Sequence, residues 1–215
     1  MIRALAPLLL ALPAAAQDLA TPEAATLPRL IESACLDLAA DHTGCEQAIL
    51  LASGTEPDLA DLIVLTDRRS DPAAAPLLVA RGIAFNGAMW GMAPSLAQAE
   101  NGSLLLRSEQ TGIGRFPWMQ TLTLAWREGR FVVAGFTWDS YDRARGGSAR
   151  CDVNLLSGAF VAEASVPDAT GAAQAVHAAE GRMEPLRIAA ADWTHDALVP
   201  APCTAAAEAL FAATD

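Results

Sequence analysis

The sequence predicts an α+β fold: an antiparallel β-meander of about five to seven strands with a helix near each end, cross-linked by two disulfides. Three observations support this prediction. The middle third alternates apolar and polar residues between tight turn signals, both ends carry apolar residues at helical spacing, and the chain contains four cysteines. With 53% hydrophobic and 18% charged residues, the composition is that of a folded globular protein.

The first sixteen residues have the pattern of a secretory signal peptide. Arg3 precedes an apolar run from Ala4 to Leu12, and three alanines before Gln17 provide a cleavage site. The run is much shorter than the roughly 20 residues that a membrane-spanning helix needs. We therefore expect residues 1–16 to be removed on export, a periplasmic location and no transmembrane segment.

The charge balance limits the kinds of molecule that this protein is expected to bind. Fourteen basic residues stand against 25 acidic ones, which gives a formal net charge of −11. Nucleic-acid binding needs clustered positive charge to displace counterions from phosphates, so a nucleic-acid partner is excluded. Anionic lipid headgroups repel such a chain as well. An envelope glycan or protein is the partner that we expect.

The four cysteines all follow the predicted signal peptide. An even number of cysteines in an exported chain indicates two structural disulfides. Three pairings are open, and we favour Cys35–Cys45 with Cys151–Cys203 because the first two lie close together in sequence. The chain has no Cys-x-x-Cys and no His at ligand spacing from a Cys, so we expect no metal site and no cofactor.

Residues 17–54 are predicted to form an N-terminal helical segment. Apolar residues between Leu27 and Ala40 recur at helical spacing. Thr26 is a suitable N-cap, and Pro28 fits the first helical turn. The rest of the chain, residues 55–215, is predicted to form the β-meander domain with the C-terminal helix.

The meander is best defined between residues 95 and 138. Asn101-Gly102 is the strongest two-residue hairpin signal, since both positions tolerate positive φ. Glu128-Gly129 provides the second turn. Between them, alternation over residues 120–127 directs three apolar side chains toward the core: Leu122, Leu124 and Trp126.

The C-terminal part is less regular in sequence. Ser157-Gly158 predicts one more hairpin turn, and the Ala-rich, polar residues 168–181 predict an irregular excursion. Residues Cys203 to Ala213 have the spacing of a short amphipathic helix.

The stretch from Glu56 to Phe160 resembles a group of uncharacterised exported proteins of proteobacteria. The similarity rests on an acidic segment before a strand, a strand-NG-strand hairpin, a Gly-containing loop with a Trp, and an aromatic-Asp-Ser-Tyr-Asp run. In this sequence these parts are Glu56–Asp61, Asn101-Gly102, Gly112–Trp118 and Trp138–Asp142. The resemblance implies an exported β-meander and no particular activity.

Some proteins of that group resemble remnants of FG-GAP repeats, in which the acidic segment is a calcium loop. This sequence departs from the pattern. The alternating Asp/Asn-x-Asp-Gly spacing is absent, and Leu59-Ala60 occupy positions where oxygen ligands are needed.

Loop aromatics give the main functional hypothesis. Trp90 and Trp118 lie in segments rich in Gly and Pro, where aromatic rings on a rigid sheet often serve in recognition. The meander also places the loop before Trp118 at the same end of the sheet as the polar segment that follows Trp138. We therefore predict a non-enzymatic exported module that binds an envelope ligand or protein through these residues: Trp90, Arg115, Trp118, Asp139, Tyr141 and Asp142.

The alternative function is a small hydrolase. Glu109, Asp139 and Asp142 are expected at neighbouring strand ends, where two carboxylates can act as general acid and base. Catalysis would require a concave site and at least one carboxyl group with a raised pKa. The binding module is preferred because no motif in the sequence requires catalysis.

Overall fold

In the residues that the structure describes, eleven β-strands form two antiparallel sheets, of four and seven strands. The structure is a computed structural model that describes residues 21–39, 44–67, 74–195 and 199–215. The smaller sheet consists of β1 (Leu30–Leu36), β2 (Glu46–Ala52), β3 (Leu59–Leu65) and β4 (Leu78–Phe85). The larger sheet consists of β5 (Ser95–Gln98), β6 (Leu104–Gln110), β7 (Trp118–Arg127), β8 (Arg130–Tyr141), β9 (Ser148–Asn154), β10 (Ala159–Pro167) and β11 (Ala173–Arg182).

Strand order in both sheets follows the chain, so every neighbouring pair of strands is a hairpin. The predicted antiparallel β-architecture with two helices and two disulfides is confirmed. The number of strands is larger than the five to seven predicted, because segments at both ends of the chain also pair as strands. The helices are α1 (Thr21–Thr26) and α2 (Ala201–Thr214).

The meander predicted between residues 95 and 138 is confirmed in its register. Leu104 pairs with Leu124 across β6 and β7, and Leu122 pairs with Phe136 across β7 and β8. Leu122 and Leu124 are fully buried as predicted, and the half-buried ring of Trp126 packs on Phe131 with centroids 5.0 Å apart. Alternation with period two therefore identified the inner face of β7 correctly.

The core lies between the two sheets. Fully buried leucines of β2 and β3 share one apolar cluster with those of β6 and β7. Helix α2 packs on β9, β10 and β11, and it buries Cys203, Ala206 and Leu210. The smaller sheet and α2 thus cover different parts of the inner face of the larger sheet.

Residues 188–195, here called the bridging segment, connect the two sheets. Val133 N in β8 donates to Ile188 O at 3.0 Å, and His195 N donates to Gly82 O in β4 at 2.9 Å. Between these bonds, the completely buried ring of Trp193 lies 6.0 Å from that of Phe136. This short segment therefore links the two sheets, in addition to direct contacts such as the bond from Leu96 N to Glu32 Oε2 at 2.8 Å.

The helical segment predicted over residues 17–54 is wrong over residues 30–36 and 46–52, which are both strands. Helix α1 ends at Thr26, a single 3-10 turn follows over Leu27–Arg29, and the chain then extends as β1. β1 pairs with the apolar strand β2, and the Cys35–Cys45 disulfide closes the same hairpin. Cross-strand pairing outweighs the weak helix propensity of this segment. The excursion predicted over residues 168–181 is also wrong, since most of it is the edge strand β11.

Both predicted disulfides are confirmed. The Cα atoms lie 5.4 Å apart in Cys35–Cys45 and 5.1 Å apart in Cys151–Cys203. Cys151 and Cys203 are buried, whereas Cys35 is exposed. Two disulfides indicate an oxidising environment of the extracellular type. The predicted signal peptide, residues 1–16, lies outside the described residues. In the part of the chain that the structure describes, neither helix has the length and apolar character needed to cross a membrane.

Candidate functional site

Exposed apolar side chains gather at one end of the larger sheet. Five of the twelve large apolar side chains that are exposed in the described residues come from the loops and strand ends there. We call this group the loop patch, and its members with their exposed fractions are Met89 (79%), Trp90 (54%), Ile113 (45%), Met119 (42%) and Tyr141 (37%). Trp90 and Tyr141 are thus exposed where the sequence predicted a recognition surface.

The Trp90 segment packs directly on the loop that follows β6. Trp90 ends a 3-10 turn over Ala88–Trp90, and a Cβ placed on Gly112 would lie 3.4 Å from the Trp90 Cβ and 2.9 Å from Met92 Cε. Thr111 N also donates to Met92 Sδ at 2.9 Å. Glycine at position 112 therefore allows this close approach of the two loops.

Arg143 joins the same loop to the end of β8. Its guanidinium donates to Gly114 O at 3.1 Å and also to Thr111 O. The guanidinium carbon lies 6.0 Å from the centroid of the Tyr141 ring, a cation–π distance. The loop patch is thus held by side chain–backbone bonds between segments that are far apart in sequence.

Directly after Tyr141 in the chain, Asp142 forms a bidentate ion pair with Arg115. Arg115 Nε lies 3.0 Å from Asp142 Oδ1, and Nη2 lies 2.7 Å from Oδ2. Asp142 is buried, and Ala144 N donates to the same carboxylate at 2.7 Å. The hydrogen bonds from Arg115 hold the pKa of Asp142 well below its usual range, and the backbone donors lower it further against the effect of burial. Asp142 therefore stays ionised and supports the loops.

Trp118 occupies a different place from Trp90. It is the first residue of β7, and its half-buried ring stacks on His195 with centroids 5.4 Å apart. Phe85 meets the same ring edge-on at 5.5 Å. Trp118 thus closes the end of the space between the sheets, whereas the sequence suggested an exposed loop ring.

The structure divides the three predicted carboxylates between two places. Glu109 and Asp139 are both paired with Met119, from the two strands that flank β7, and they line one shallow cavity of about 350 Å³. Partial burial raises the pKa of Asp139, against the opposing effect of Arg150, whose Nε lies 3.7 Å from its Oδ1. Asp142 lies elsewhere, in its ion pair with Arg115.

Sequence reasoning missed several residues that shape the site. Phe85 and His195 enclose Trp118, Met92 accepts hydrogen bonds from Thr111, and Arg143 connects the loop to Tyr141. Arg143 follows the predicted Tyr141 and Asp142 directly, so its position in the same segment was an available signal. His195 lies 77 residues after Trp118 in the numbering, and no spacing rule connects them. Among the described residues, no group of three or more His, Cys, Asp or Glu side chains forms a possible metal site.

No family model matches the chain, and no curated protein or solved structure matches it either.

Proposed function

We propose that this protein is a non-enzymatic, exported binding module of the periplasm that binds an envelope protein through the loop patch. One observation carries the proposal: five exposed apolar side chains lie on loops and strand ends at one end of the larger sheet, where a buried ion pair holds the same segments. Scattered exposed apolar residues are ordinary, whereas a cluster on one face marks an interaction surface. The two disulfides support export, since they form in oxidising compartments.

The composition of the loop patch favours a protein over a glycan. Trp, Tyr, Met and Arg are the residue types enriched in the buried centres of protein interfaces. Met89, Ile113 and Met119 provide flexible or aliphatic surface, which suits an apolar side chain of a partner. Trp90 is the large anchor among them.

Site-specific photo-crosslinking tests this proposal. A photoreactive amino acid is introduced in place of Trp90 or Ile113, and the protein is expressed in its native cell. We expect one discrete protein adduct of the same mass from both positions. A matched control is Val161 on β10, which is apolar and 46% exposed but lies outside the loop patch.

Two outcomes would contradict the proposal. Equal adducts from positions 90 and 161 would show collision without specific binding, and the absence of protein adducts at both patch positions would exclude a protein partner. A Trp90→Ser variant adds a second measurement, because it should abolish the adduct formed through position 113. Trp90 is 54% exposed, so this variant should retain the fold.

A hydrolase using Glu109 and Asp139 is the second candidate function. It is supported by the shared cavity and by the raised pKa of Asp139, which is the direction that a general acid requires. Asp142 no longer belongs to this candidate, because its ion pair keeps it ionised. Hydrolysis of chromogenic esters and glycosides that is lost in Asp139→Asn and retained in Asp192→Asn, at an exposed aspartate of the bridging segment, would support it. The absence of turnover in the wild type would exclude these substrate classes.

A further inference from the structure

The smaller sheet carries a polar cavity that is separate from the loop patch. It encloses about 600 Å³ at the end of the sheet where β2 turns into β3. Its polar lining consists of two arginines, three hydroxyl side chains and one exposed carboxylate beside the buried Asp61: Arg29, Ser53, Thr55, Glu56, Arg81 and Thr194.

Asp61 is a buried carboxylate beneath two guanidinium groups. Its side chain is 3% exposed, although it follows Ala60 in the middle of an apolar strand. Arg81 Nη1 lies 2.7 Å from Asp61 Oδ2, and Arg29 Nη2 lies 3.5 Å from the same oxygen. A carboxylate in such a place is stable only when partners neutralise it and satisfy its oxygens. Asp61 therefore fixes both guanidinium groups on one side of the cavity.

A β-bulge in β4 creates the space for this arrangement. Ala60 pairs with Ala84 and Leu62 with Ala80, so three residues of β4 face Asp61 alone. In the bulge, Gly82 adopts a φ of 57°, and its N–H donates to Asp61 Oδ1 at 3.0 Å. Bulges of this kind redirect side chains and recur beside functional sites. Here the bulge directs Arg81 toward the cavity.

The two arginines retain donors for a further acceptor. A guanidinium has five N–H donors, and the bond to Asp61 takes one from Arg81. The Arg81 side chain is 65% exposed and that of Arg29 is 34% exposed, so both reach the solvent-filled cavity. Arg29 is also fixed by a bond from Nε to Ala52 O at 2.8 Å. The cavity thus presents two oriented guanidinium groups in a chain whose net charge is −11.

We infer that this cavity binds a small organic monocarboxylate, with the acid group against Arg29 and Arg81 and the hydroxyl groups of Ser53, Thr55 and Thr194 binding its polar substituents. Arg29, Arg81 and Asp61 together carry one net positive charge, which matches a single carboxylate. The exposed carboxylate of Glu56 in the same lining brings the formal charge of these four groups to zero, so a second negative charge on the ligand is disfavoured. Planar guanidinium groups also match a carboxylate in geometry.

Lactate is a suitable probe, because it is a monocarboxylate with one hydroxyl group and has a neutral isostere, lactamide. Titration of the wild-type protein is followed by calorimetry and by backbone amide NMR. We expect saturable lactate binding that shifts the amide resonances of Gly82 and Thr55, and no binding of lactamide. Equal binding of lactamide, or shifts confined to other regions, would overturn the inference. Tighter binding of inorganic phosphate than of lactate would overturn the assignment to a monocarboxylate.

Variants separate binding from a structural role of the arginines. Arg81→Met should weaken lactate binding by about tenfold or more, since a charge-assisted bidentate contact is lost. Arg130→Met removes an exposed arginine from the start of β8 and should leave the affinity unchanged. If Arg81→Met fails to fold, Thr194→Val provides the test, because it leaves the ion pairs intact and should still weaken binding severalfold. Unchanged affinity in Thr194→Val and in a folded Arg81→Met would overturn the inference.

Discussion

Asp142 is almost completely buried, whereas Arg115, which neutralises it, has a side chain that is 36% exposed. Arg115 also donates to Thr214 O at the end of α2, so one guanidinium connects the loop before β7, the end of β8 and the C-terminal helix. The two partners are therefore not equivalent. Removal of Arg115 leaves a buried charge without its main partner, and removal of the charge on Asp142 leaves only a solvated guanidinium.

This asymmetry predicts the order of two variants. Arg115→Gln should lower the melting temperature more than Asp142→Asn, because only the first variant leaves a buried carboxylate unpaired. Thermal unfolding followed by circular dichroism at pH 7 measures both. Arg127→Gln, at an exposed arginine that bonds its neighbour's carbonyl, is the control and should change the melting temperature little. A larger loss in Asp142→Asn would contradict the prediction.

The same ion pair predicts how the free energy of unfolding changes with pH. The pKa of Asp142 is lowered in the folded state, so its stabilisation is present above the unfolded pKa of about 3.9 and is lost as the pH falls below it. The stability difference between the wild type and Asp142→Asn should therefore be smaller at pH 3 than at pH 7. Urea unfolding at the two pH values measures it, and a constant difference would contradict the assignment.

Asp139 provides an internal control, for which the dependence of stability on pH has the opposite sign. Its pKa is raised by partial burial, so the ionised form destabilises the folded state at neutral pH and protonation relieves this cost as the pH falls. Asp139→Asn should therefore be at least as stable as the wild type at pH 7, and any advantage should disappear in acid. The same urea series measures this, and an advantage that grows in acid would contradict it.

One substitution in the β7–β8 turn should increase the stability of the protein. Glu128 has a φ of 52° and is followed by Gly129 at 75°, the pattern of a two-residue turn with positive φ at both positions. Asparagine tolerates this conformation better than glutamate. We expect Glu128→Asn to raise the free energy of unfolding by about 0.5–1 kcal/mol, measured by urea denaturation. Glu128→Ala is the control and should bring no such gain.

The two disulfides should differ in how easily they are reduced and in how much each contributes to the stability of the protein. Cys35 is exposed, whereas Cys151 and Cys203 are buried, so a mild reductant should open Cys35–Cys45 first. The pairs are separated by 10 and 52 residues. Loop entropy then predicts that the free energy of unfolding falls by roughly 3 and 4 kcal/mol, respectively, when each pair is replaced by serines. Alkylation and peptide mapping follow the order of reduction, and earlier release of Cys151–Cys203 would contradict it.

The sequence predicted those parts of the fold that local patterns determine. Glu128-Gly129 and the alternation around Leu122 each describe a feature of a single hairpin, and both were confirmed. The hairpin at Asn101-Gly102 also forms, but its loop has three residues, 100–102, closed by Ala99 N donating to Ser103 O, and Gly102 has positive φ whereas Asn101 does not. The helix prediction for residues 30–36 was wrong because their apolar residues fit helical spacing. Their strand conformation, as β1, depends on pairing with β2. Such a pairing is a property of two segments together.

The contacts in the candidate sites were likewise predictable from sequence only in part. The meander placed Arg115 near Asp142, since one hairpin separates their segments. The inward position of Trp118 depends on Phe85 and His195, which come from the other sheet and from the bridging segment. Asp61 gave a signal that sequence analysis overlooked, because an acidic residue buried inside an apolar strand requires cationic partners within contact distance. Neither Arg29 nor Arg81 could be identified as those partners from spacing alone.

The position of the bridging segment late in the chain has a consequence for synthesis. Hairpins of both sheets can form one after another as the chain emerges, since every strand pairs with its sequence neighbour. The two bonds through which the bridging segment links the sheets, from Val133 N to Ile188 O and from His195 N to Gly82 O, require the final part of the polypeptide. A nascent chain that ends before residue 188 therefore contains both sheets and direct contacts between them, such as the bond from Leu96 N to Glu32 Oε2 at 2.8 Å, but it lacks the buried ring of Trp193. Part of its apolar interior stays open to chaperones and proteases until the last residues are synthesised.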